Sequence, residues 1–347
     1  MSSADSDPLR TRAANSYDFV RFCAASCVIF SHHFDLAGFD EPIVPFYGDE
    51  DFGYLGVEIF FCLSGFLISQ SLQKRRDWTR FAAARVCRIF PNLLVALVMT
   101  SIVTLVWYRN GAHLAAHIGY VTDNALMFLR GVTQTIPGVF TDAIRTDVND
   151  PLWTLPYELW LYVALALIFL AGGRRIGAVI VVVALAVSVG WSFGDDIEFD
   201  IGPFEGFEFL RLGTYFLSGA VLAVVWPHIR THAIAIGAAG LVAAFTLRSL
   251  ISTDSILFSL SLAAAVIGLG SSHAMAWFSK AGDASYGMYV FAWPIQQFSL
   301  LLIGSFWLSM LVAFFATTAL GYATWHAFER RAMSYPDKIA ARFRRGG

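Results

Sequence analysis

Long apolar runs alternate with short polar segments along most of the 347-residue chain. An α-helix needs about 20 predominantly apolar residues to cross a bilayer. Ten runs reach or approach this length: 17–36, 54–73, 88–108, 152–171, 174–193, 207–226, 231–250, 255–271, 285–303 and 307–328. The pattern therefore predicts an all-α integral membrane protein with about ten transmembrane helices.

One further apolar stretch, residues 113–130, is too interrupted by polar side chains to span a bilayer. We expect it to form an interfacial or re-entrant helix at the outer surface. The same pattern divides the chain into an N-terminal tail over 1–16, a transmembrane domain over 17–328 and a basic C-terminal tail over 329–347.

The composition supports this interpretation. Hydrophobic residues make up 57% of the chain and charged residues only 14%, whereas a soluble protein carries about 25% charge. Of the 24 lysines and arginines, 18 fall in the loops of one side and 4 in those of the other. The positive-inside rule therefore places both termini in the cytoplasm. We expect the lipid bilayer, and no nucleic acid, as a partner.

Arg21 and His32 stand out in the first run. They are eleven positions apart, almost three helical turns, so they share one helix face and differ in depth by about 16 Å. Ionisable residues inside membrane helices are costly and mark functional sites. An imidazole is the commonest general base, so His32 is a candidate catalytic residue. A hydrogen-bonded structural histidine at a helix end is the alternative.

The second run contains Glu58 and Ser64. A carboxylate at the position of Glu58 can orient a histidine or bind a hydroxyl group, although an interfacial charge that reaches out to water is an equal alternative. Ser64 can donate a hydrogen bond to a neighbouring helix.

Arg85 and Arg88 begin the third run with i, i+3 spacing, so their guanidinium groups lie on one side of a helix. Guanidinium binds phosphate in a planar, bidentate manner. We interpret the pair as a phosphate site at the cytoplasmic surface, with ordinary positive-inside charge as the alternative.

The fourth run opens with Trp153, followed by Glu158 and Tyr162 with i, i+4 spacing on one helix face. A glutamate two residues after a proline, at the start of a span, favours a functional role over packing. Trp153 fits an interfacial aromatic belt, and stacking on a sugar ring is the second possibility.

Other chemistry-bearing residues favour no metal site. His113 and His117 have i, i+4 spacing, but no glutamate of an HExxH motif lies between them. The four cysteines lie within or beside apolar runs, where cysteine is usually a small packing residue. We therefore expect no metal cofactor.

Five segments taken together resemble the acyltransferase-3 family of bacterial inner-membrane proteins, which O-acylate surface carbohydrates. They are the Arg21–His32 pattern, GVEIFFCLSGFLI at 56–68, RVCRIFP at 85–91, LWTLPYE at 152–158 and SYGMY from Ser285 onward. The resemblance runs in order along most of the chain. It implies a multi-pass inner-membrane O-acyltransferase, most simply an O-acetyltransferase of polysaccharide biosynthesis.

The resemblance also implies a donor and its site. Acyl-CoA, in the first instance acetyl-CoA, would bind at the cytoplasmic face with its phosphates on Arg85 and Arg88. Arg21 would contact the donor, whose pantetheine arm would extend towards His32. His32 would take the proton of the acceptor hydroxyl.

A carbohydrate hydroxyl would be the acceptor. Glu158 or Glu58 would orient His32 or bind that hydroxyl. We assign the remaining substrate-binding positions to Ser64, Trp153 and Tyr162. The sequence leaves the acceptor sugar and the oligomeric state open.

The chain departs from the family at one position. Many relatives carry a histidine two residues before Pro294, where this chain has Ala292, so no role of that histidine is carried over. Two other functions remain open: a carrier or exporter of a lipid-linked or anionic sugar, and a membrane enzyme with a lipid-bound acyl donor. Against the carrier, no internal repeat is visible.

Overall fold

The structure is a computed structural model of the full chain and describes residues 15–42, 51–74, 77–108, 113–192, 199–247 and 256–346. Most of the predicted N-terminal tail lies outside these ranges. So do parts of the charged loops that oriented the sequence prediction, at 43–50, 75–76, 109–112, 193–198 and 248–255.

Helices account for nearly all the described structure. The first half of the chain forms α1 (Tyr17–Ala37), α2 (Phe52–Lys74), α3 (Trp78–Trp107), α4 (Leu114–Ala125), α5 (Met127–Arg130), a 3-10 turn (Asp150–Trp153), α6 (Thr154–Gly172), a 3-10 turn (Gly173–Arg175) and α7 (Ile176–Ser192). The second half forms β1 (Asp200–Ile201), β2 (Phe204–Glu205), α8 (Gly206–Ile229), α9 (Ala233–Thr246), α10 (Ile256–Ser271), a 3-10 turn (Phe278–Lys280), α11 (Ser285–Leu302), α12 (Phe306–Thr324), a π-helical turn (Trp325–Glu329), α13 (Arg330–Ala332) and α14 (Pro336–Gly346).

A helix occupies each of the ten apolar runs, which confirms the all-α prediction. Within the described residues, five helical segments are long and apolar enough to cross a membrane: Phe52–Lys74, Trp78–Trp107, Asp150–Gly172, Gly206–Ile229 and Phe306–Arg342. The interrupted stretch 113–130 forms the short helices α4 and α5. The chain is therefore a helical membrane protein.

The helix α3 begins ten residues earlier than the hydrophobic pattern predicts. The side chain of Asp77 caps its N-terminus and accepts a hydrogen bond from the backbone N–H of Arg80 at 3.0 Å. As a result Arg85 and Arg88 lie in the body of a long helix and not at its start.

Two glycines let α2 and α8 pack backbone against backbone. A β carbon at Gly65 would lie 1.8 Å from the carbonyl oxygen of Phe216, and one at Gly219 would lie 2.0 Å from that of Cys62. Small residues at helix interfaces allow this close approach in membrane proteins. The contact fixes the position of α2, which carries Ser64.

The histidine next to His32 fixes α1 against α11 and α12. His33 is fully buried, and its Nδ1 accepts a hydrogen bond from the Gln296 amide at 3.3 Å. Its Nε2 then carries the proton and lies 2.9 Å from the Ser309 hydroxyl. Because both ring nitrogens of His33 are used in this way, its role is structural.

Candidate functional site

A cavity of about 90 Å³ lies between α1, α2, α3, α6 and α11. Six residues that the sequence analysis singled out line this one cavity: Arg21, Ser64, Arg85, Arg88, Glu158 and Tyr162. Thr154 of α6 and Ser285, Tyr286 and Tyr289 of α11 complete its polar lining. The cavity therefore brings together charges contributed by segments up to 137 residues apart, from 21 to 158.

Glu158 organises one part of the cavity wall. Its Oε1 accepts a hydrogen bond from the Ser64 hydroxyl at 2.8 Å, and the Tyr162 hydroxyl donates to the same oxygen. The Arg85 guanidinium lies over the Tyr162 ring, 5.6 Å from its centroid. Within the described part of the chain, the buried Nε of Arg85 has no hydrogen-bond partner. Arg85 therefore keeps one buried N–H donor without a hydrogen-bond partner among the described residues.

Arg88 is arranged differently, although it lies one turn further along α3. Its Nη2 is 2.8 Å from Asp283 Oδ2, and its Nη1 donates to Glu329. Both carboxylates are almost completely buried, at 1% and 0% exposure. Arg21 also reaches Asp283, at 3.3 Å. Arg88 thus joins α3 to the start of α11 and to the π-helical turn, and Arg85 is the better placed of the pair for a phosphate.

The sequence analysis did not single out Asp283 or Glu329. Asp283 lies two residues before α11, and its Oδ1 accepts hydrogen bonds from the backbone N–H (3.2 Å) and hydroxyl (2.5 Å) of Ser285. Glu329 ends a π-helical turn, a local deviation that often accompanies functional sites. A lone acid directly before Arg330 and Arg331 was the available signal for Glu329.

His32 lies outside this cavity, since it is not among the described residues that line it. Its ring packs edge-to-face on Trp293 of α11, with centroids 4.9 Å apart. Trp293 follows Tyr289, a cavity residue, by one helical turn, or about 6 Å of helix axis. The structure therefore places His32 about one turn beyond the end of the cavity.

Aromatic and hydroxyl groups close that end of the cavity. The rings of Phe60 and Tyr289 are 5.9 Å apart, and the Tyr289 hydroxyl donates to the carbonyl oxygen of Pro151 at 2.9 Å. The Thr154 hydroxyl lies 2.6 Å from the same tyrosine oxygen. A ligand that passed from the cavity to His32 would have to displace these side chains.

Arg145 and Asp147 contact Trp293, the residue that packs on His32. The Arg145 guanidinium lies 5.8 Å from the Trp293 ring centroid, and its Nε is 3.3 Å from Asp147. The Trp293 indole donates to the Asp147 carbonyl oxygen at 2.8 Å. Trp293 and Arg145 were missed by the sequence analysis, because residues this far from His32 along the chain reveal no spatial partner.

The structure gives other partners to the two glutamates proposed to act on His32. Glu158 hydrogen-bonds Ser64 and Tyr162 inside the cavity, and the structure gives it no contact with His32 among the described residues. Glu58 is fully buried, 3.8 Å from the guanidinium of Arg211.

The remaining predicted residue, Trp153, lines a second, wider groove of about 370 Å³. Arg211 links this groove to Glu58: its guanidinium bonds Glu208 at 2.8 Å and lies 4.5 Å from the ring centroid of Tyr54, and both Glu208 and Tyr54 line the groove.

The histidine pair at 113 and 117 does not form a metal site in the described residues, where no group of three or more potential ligands occurs. His117 is buried against α3, and this burial lowers the pKa of its imidazole. His113 is exposed just before α4.

The chain belongs to the acyltransferase-3 family, whose acyltransferase domain matches residues 15–326. It is 28% identical to an O-acetyl transferase of Shigella phage Sf6, over 92% of this chain and 96% of the relative. It is 26% identical to nodulation protein 10 of Rhizobium leguminosarum bv. viciae, over 94% and 95%. No solved structure matches it. The family expected from the sequence is confirmed, and the protein is an acyltransferase.

Proposed function

We propose that the protein is an O-acyltransferase that moves an acyl group, in the first instance acetyl, from acyl-CoA to a carbohydrate hydroxyl across the bacterial inner membrane. The observation that carries this proposal is the position of His32, one helical turn beyond a cavity lined by three arginines. The similarity to a phage O-acetyl transferase supports acetyl as the transferred group.

The donor enters from the arginine side. Arg85, which forms no ion pair with the described residues, binds a CoA phosphate, while Arg88 and Arg21 line the same cavity in ion pairs with Asp283. Glu158 accepts a hydrogen bond from an amide N–H of the pantetheine arm. The thioester then reaches His32 past Phe60 and Tyr289.

His32 acts as the general base. It takes the proton of the acceptor hydroxyl while the hydroxyl oxygen attacks the thioester carbonyl carbon. The C–S bond breaks, an ester forms, and the CoA thiolate leaves with the proton that His32 had taken. Arg145, whose guanidinium lies over the Trp293 ring that packs on His32, stabilises the negative charge that develops on the carbonyl oxygen.

The topology follows from the charge distribution. Ten spans with both termini in the cytoplasm put the arginine end of the cavity at the inner face and His32 towards the outer face. The nucleotide then stays inside, and the acceptor approaches from outside or as a lipid-linked sugar.

The experiment uses purified protein, labelled acetyl-CoA and a lipid-linked or polysaccharide acceptor fraction. We expect wild-type protein to release free CoA thiol only when acceptor is present. His32→Ala should reduce the rate by about 10²–10⁴-fold. His113→Ala, which changes an exposed histidine far from the cavity, is the matched control and should leave the rate unchanged.

Thiol release that survives in His32→Ala would overturn the assignment of the base. A wild-type protein that never consumes acyl-CoA, yet moves the sugar across vesicles, would favour a carrier. Consumption of an acyl phospholipid in place of acyl-CoA would favour a lipid-bound donor.

A further inference from the structure

The second groove has the lining of a carbohydrate site. It lies between the first turn of α2, residues 131–134, the start of α6 and the β1–β2 ribbon with the start of α8. Six residues supply its chemistry: Tyr54, Trp153, Tyr157, Phe204, Glu205 and Glu208. Its volume of about 370 Å³ lies at the lower end of the range for small-molecule sites.

Aromatic rings form a continuous wall of the groove. Trp153 and Tyr157 pack edge-to-face with centroids 5.8 Å apart, and Tyr157 packs in the same way on Phe204 at 5.7 Å. The Tyr157 hydroxyl accepts a hydrogen bond from the backbone N–H of Glu205 at 3.0 Å, which holds the ribbon beside the ring. Tyr157 and Phe204 are themselves buried, so they support Trp153, whose partly exposed ring is the one that can pack against the apolar C–H face of a sugar.

Acidic side chains in and near the groove make it unfavourable for an anionic ligand. Glu205 is exposed at its rim. The Arg211 guanidinium is already engaged with Glu208 at 2.8 Å and lies 3.8 Å from Glu58. The carboxylates of Glu58, Glu205 and Glu208 are therefore three against the single guanidinium of Arg211. A carboxylate on a sugar would meet like charge here, whereas hydroxyl groups find acceptor oxygens.

The rim of the groove continues into the surroundings of His32. The carbonyl oxygen of Gln134, a groove residue, accepts a hydrogen bond from the Val148 N–H at 2.7 Å. The carbonyl oxygen of the preceding Asp147 accepts from the indole of Trp293, which packs on His32. These contacts connect the lining of the groove with the proposed base.

We propose that this groove binds an uncharged sugar unit of the acceptor and discriminates against uronate or other anionic sugars. The inference rests on the proposed acyl transfer for its biological meaning, while binding itself can be measured without acyl-CoA.

The test is a calorimetric titration of purified protein with a neutral hexose oligosaccharide and with a hexuronate oligosaccharide of the same length. We expect the neutral ligand to bind at least about tenfold more tightly. Trp153→Ala should weaken that binding about tenfold or more, and Trp153→Phe should retain most of it. Trp160→Ala is the matched control, because Trp160 lies outside the groove and donates to Phe128.

Charge reversal by Glu205→Lys should strengthen hexuronate binding and so reduce the preference. The proposal is overturned if wild-type protein binds hexuronate as tightly as the neutral ligand, or if Trp153→Ala binds the neutral ligand as well as Trp160→Ala does. Acceptor-dependent thiol release without oligosaccharide binding rejects the groove and leaves acyl transfer standing. Binding through Trp153 without any thiol release rejects acyl transfer and leaves the groove standing.

Discussion

The start and the middle of α11 have different charged surroundings. At its start, Asp283 and the distant Glu329 hold Arg88 in direct ion pairs. Two turns further along, Trp293 packs on His32, which makes no ion pair with any described residue. The first arrangement locks helices together, whereas the second leaves an imidazole free to take and return a proton. The comparison separates residues that build the site from residues that act in it.

Removal of the ion pairs of Arg88 at the start of α11 should have the largest effect on stability. Arg88→Ala leaves the buried carboxylates of Asp283 and Glu329 without this partner, which should lower the free energy of unfolding by about 3–5 kcal/mol. Thermal or denaturant unfolding in detergent measures the change.

A compensated variant is the control. Arg88→Ala combined with Asp283→Asn and Glu329→Gln removes the uncompensated charges and should recover part of the lost stability. A stable Arg88→Ala protein with weakened acyl-CoA binding would contradict the structural role and assign Arg88 to the donor.

Arg85 provides a matched test for Arg88, because the two residues lie one turn apart on α3. Arg85→Ala should lower the free energy of unfolding less than Arg88→Ala does, because Arg85 forms no ion pair with a described residue. It should raise KM for acyl-CoA about 10- to 100-fold, as expected for the loss of charge-assisted hydrogen bonds to phosphate. Steady-state kinetics with varied acyl-CoA give the answer, and an unchanged KM would remove Arg85 from the donor site.

Substitutions of Trp293 test the surroundings of His32 at the middle of α11. Trp293→Ala frees the His32 ring from its edge-to-face contact and should lower kcat about tenfold, with little change in KM. Trp293→Phe keeps a ring in place and should restore most of kcat. An equal loss in both variants, or a loss confined to KM, would speak against a positioning role.

The contrast between these two regions of α11 also explains how much of the fold and of the site the sequence could predict. Apolar runs predict helices well, because burial in lipid demands them, and the motif residues Arg21, Arg85 and Glu158 do meet in one cavity. The sequence could not predict the partners of Arg88. Asp283 and Glu329 lie 195 and 241 positions away from it along the chain, and no local pattern encodes such a pairing.

The position of His32 shows a second limit. Helix geometry places Arg21 and His32 correctly on one helix, but only the packing of α1 on α11 places Trp293 against the imidazole. The same packing keeps Glu158 inside the cavity with Ser64, away from His32.

The smallest expected effect comes from Ser64, whose hydroxyl donates to Glu158 at 2.8 Å. Ser64→Ala removes one of the two donors to this carboxylate and leaves Tyr162 in place, a loss of about 1 kcal/mol. KM for acyl-CoA should therefore change about fivefold, with kcat almost unchanged. A loss of kcat as large as that of His32→Ala would instead make Ser64 part of the reacting centre.

The most direct measurement is an experimental structure of the protein with a non-hydrolysable acetyl-CoA analogue bound. Our account predicts a phosphate on Arg85, the pantetheine arm along Glu158 and Tyr289, and the acyl carbon beyond Tyr289 beside His32. There the imidazole can reach the attacking hydroxyl, whose oxygen must come within about 3.5 Å of that carbon. An analogue bound outside the cavity, or one whose acyl group ends on the arginine side of Tyr289 with no path to His32, would contradict it.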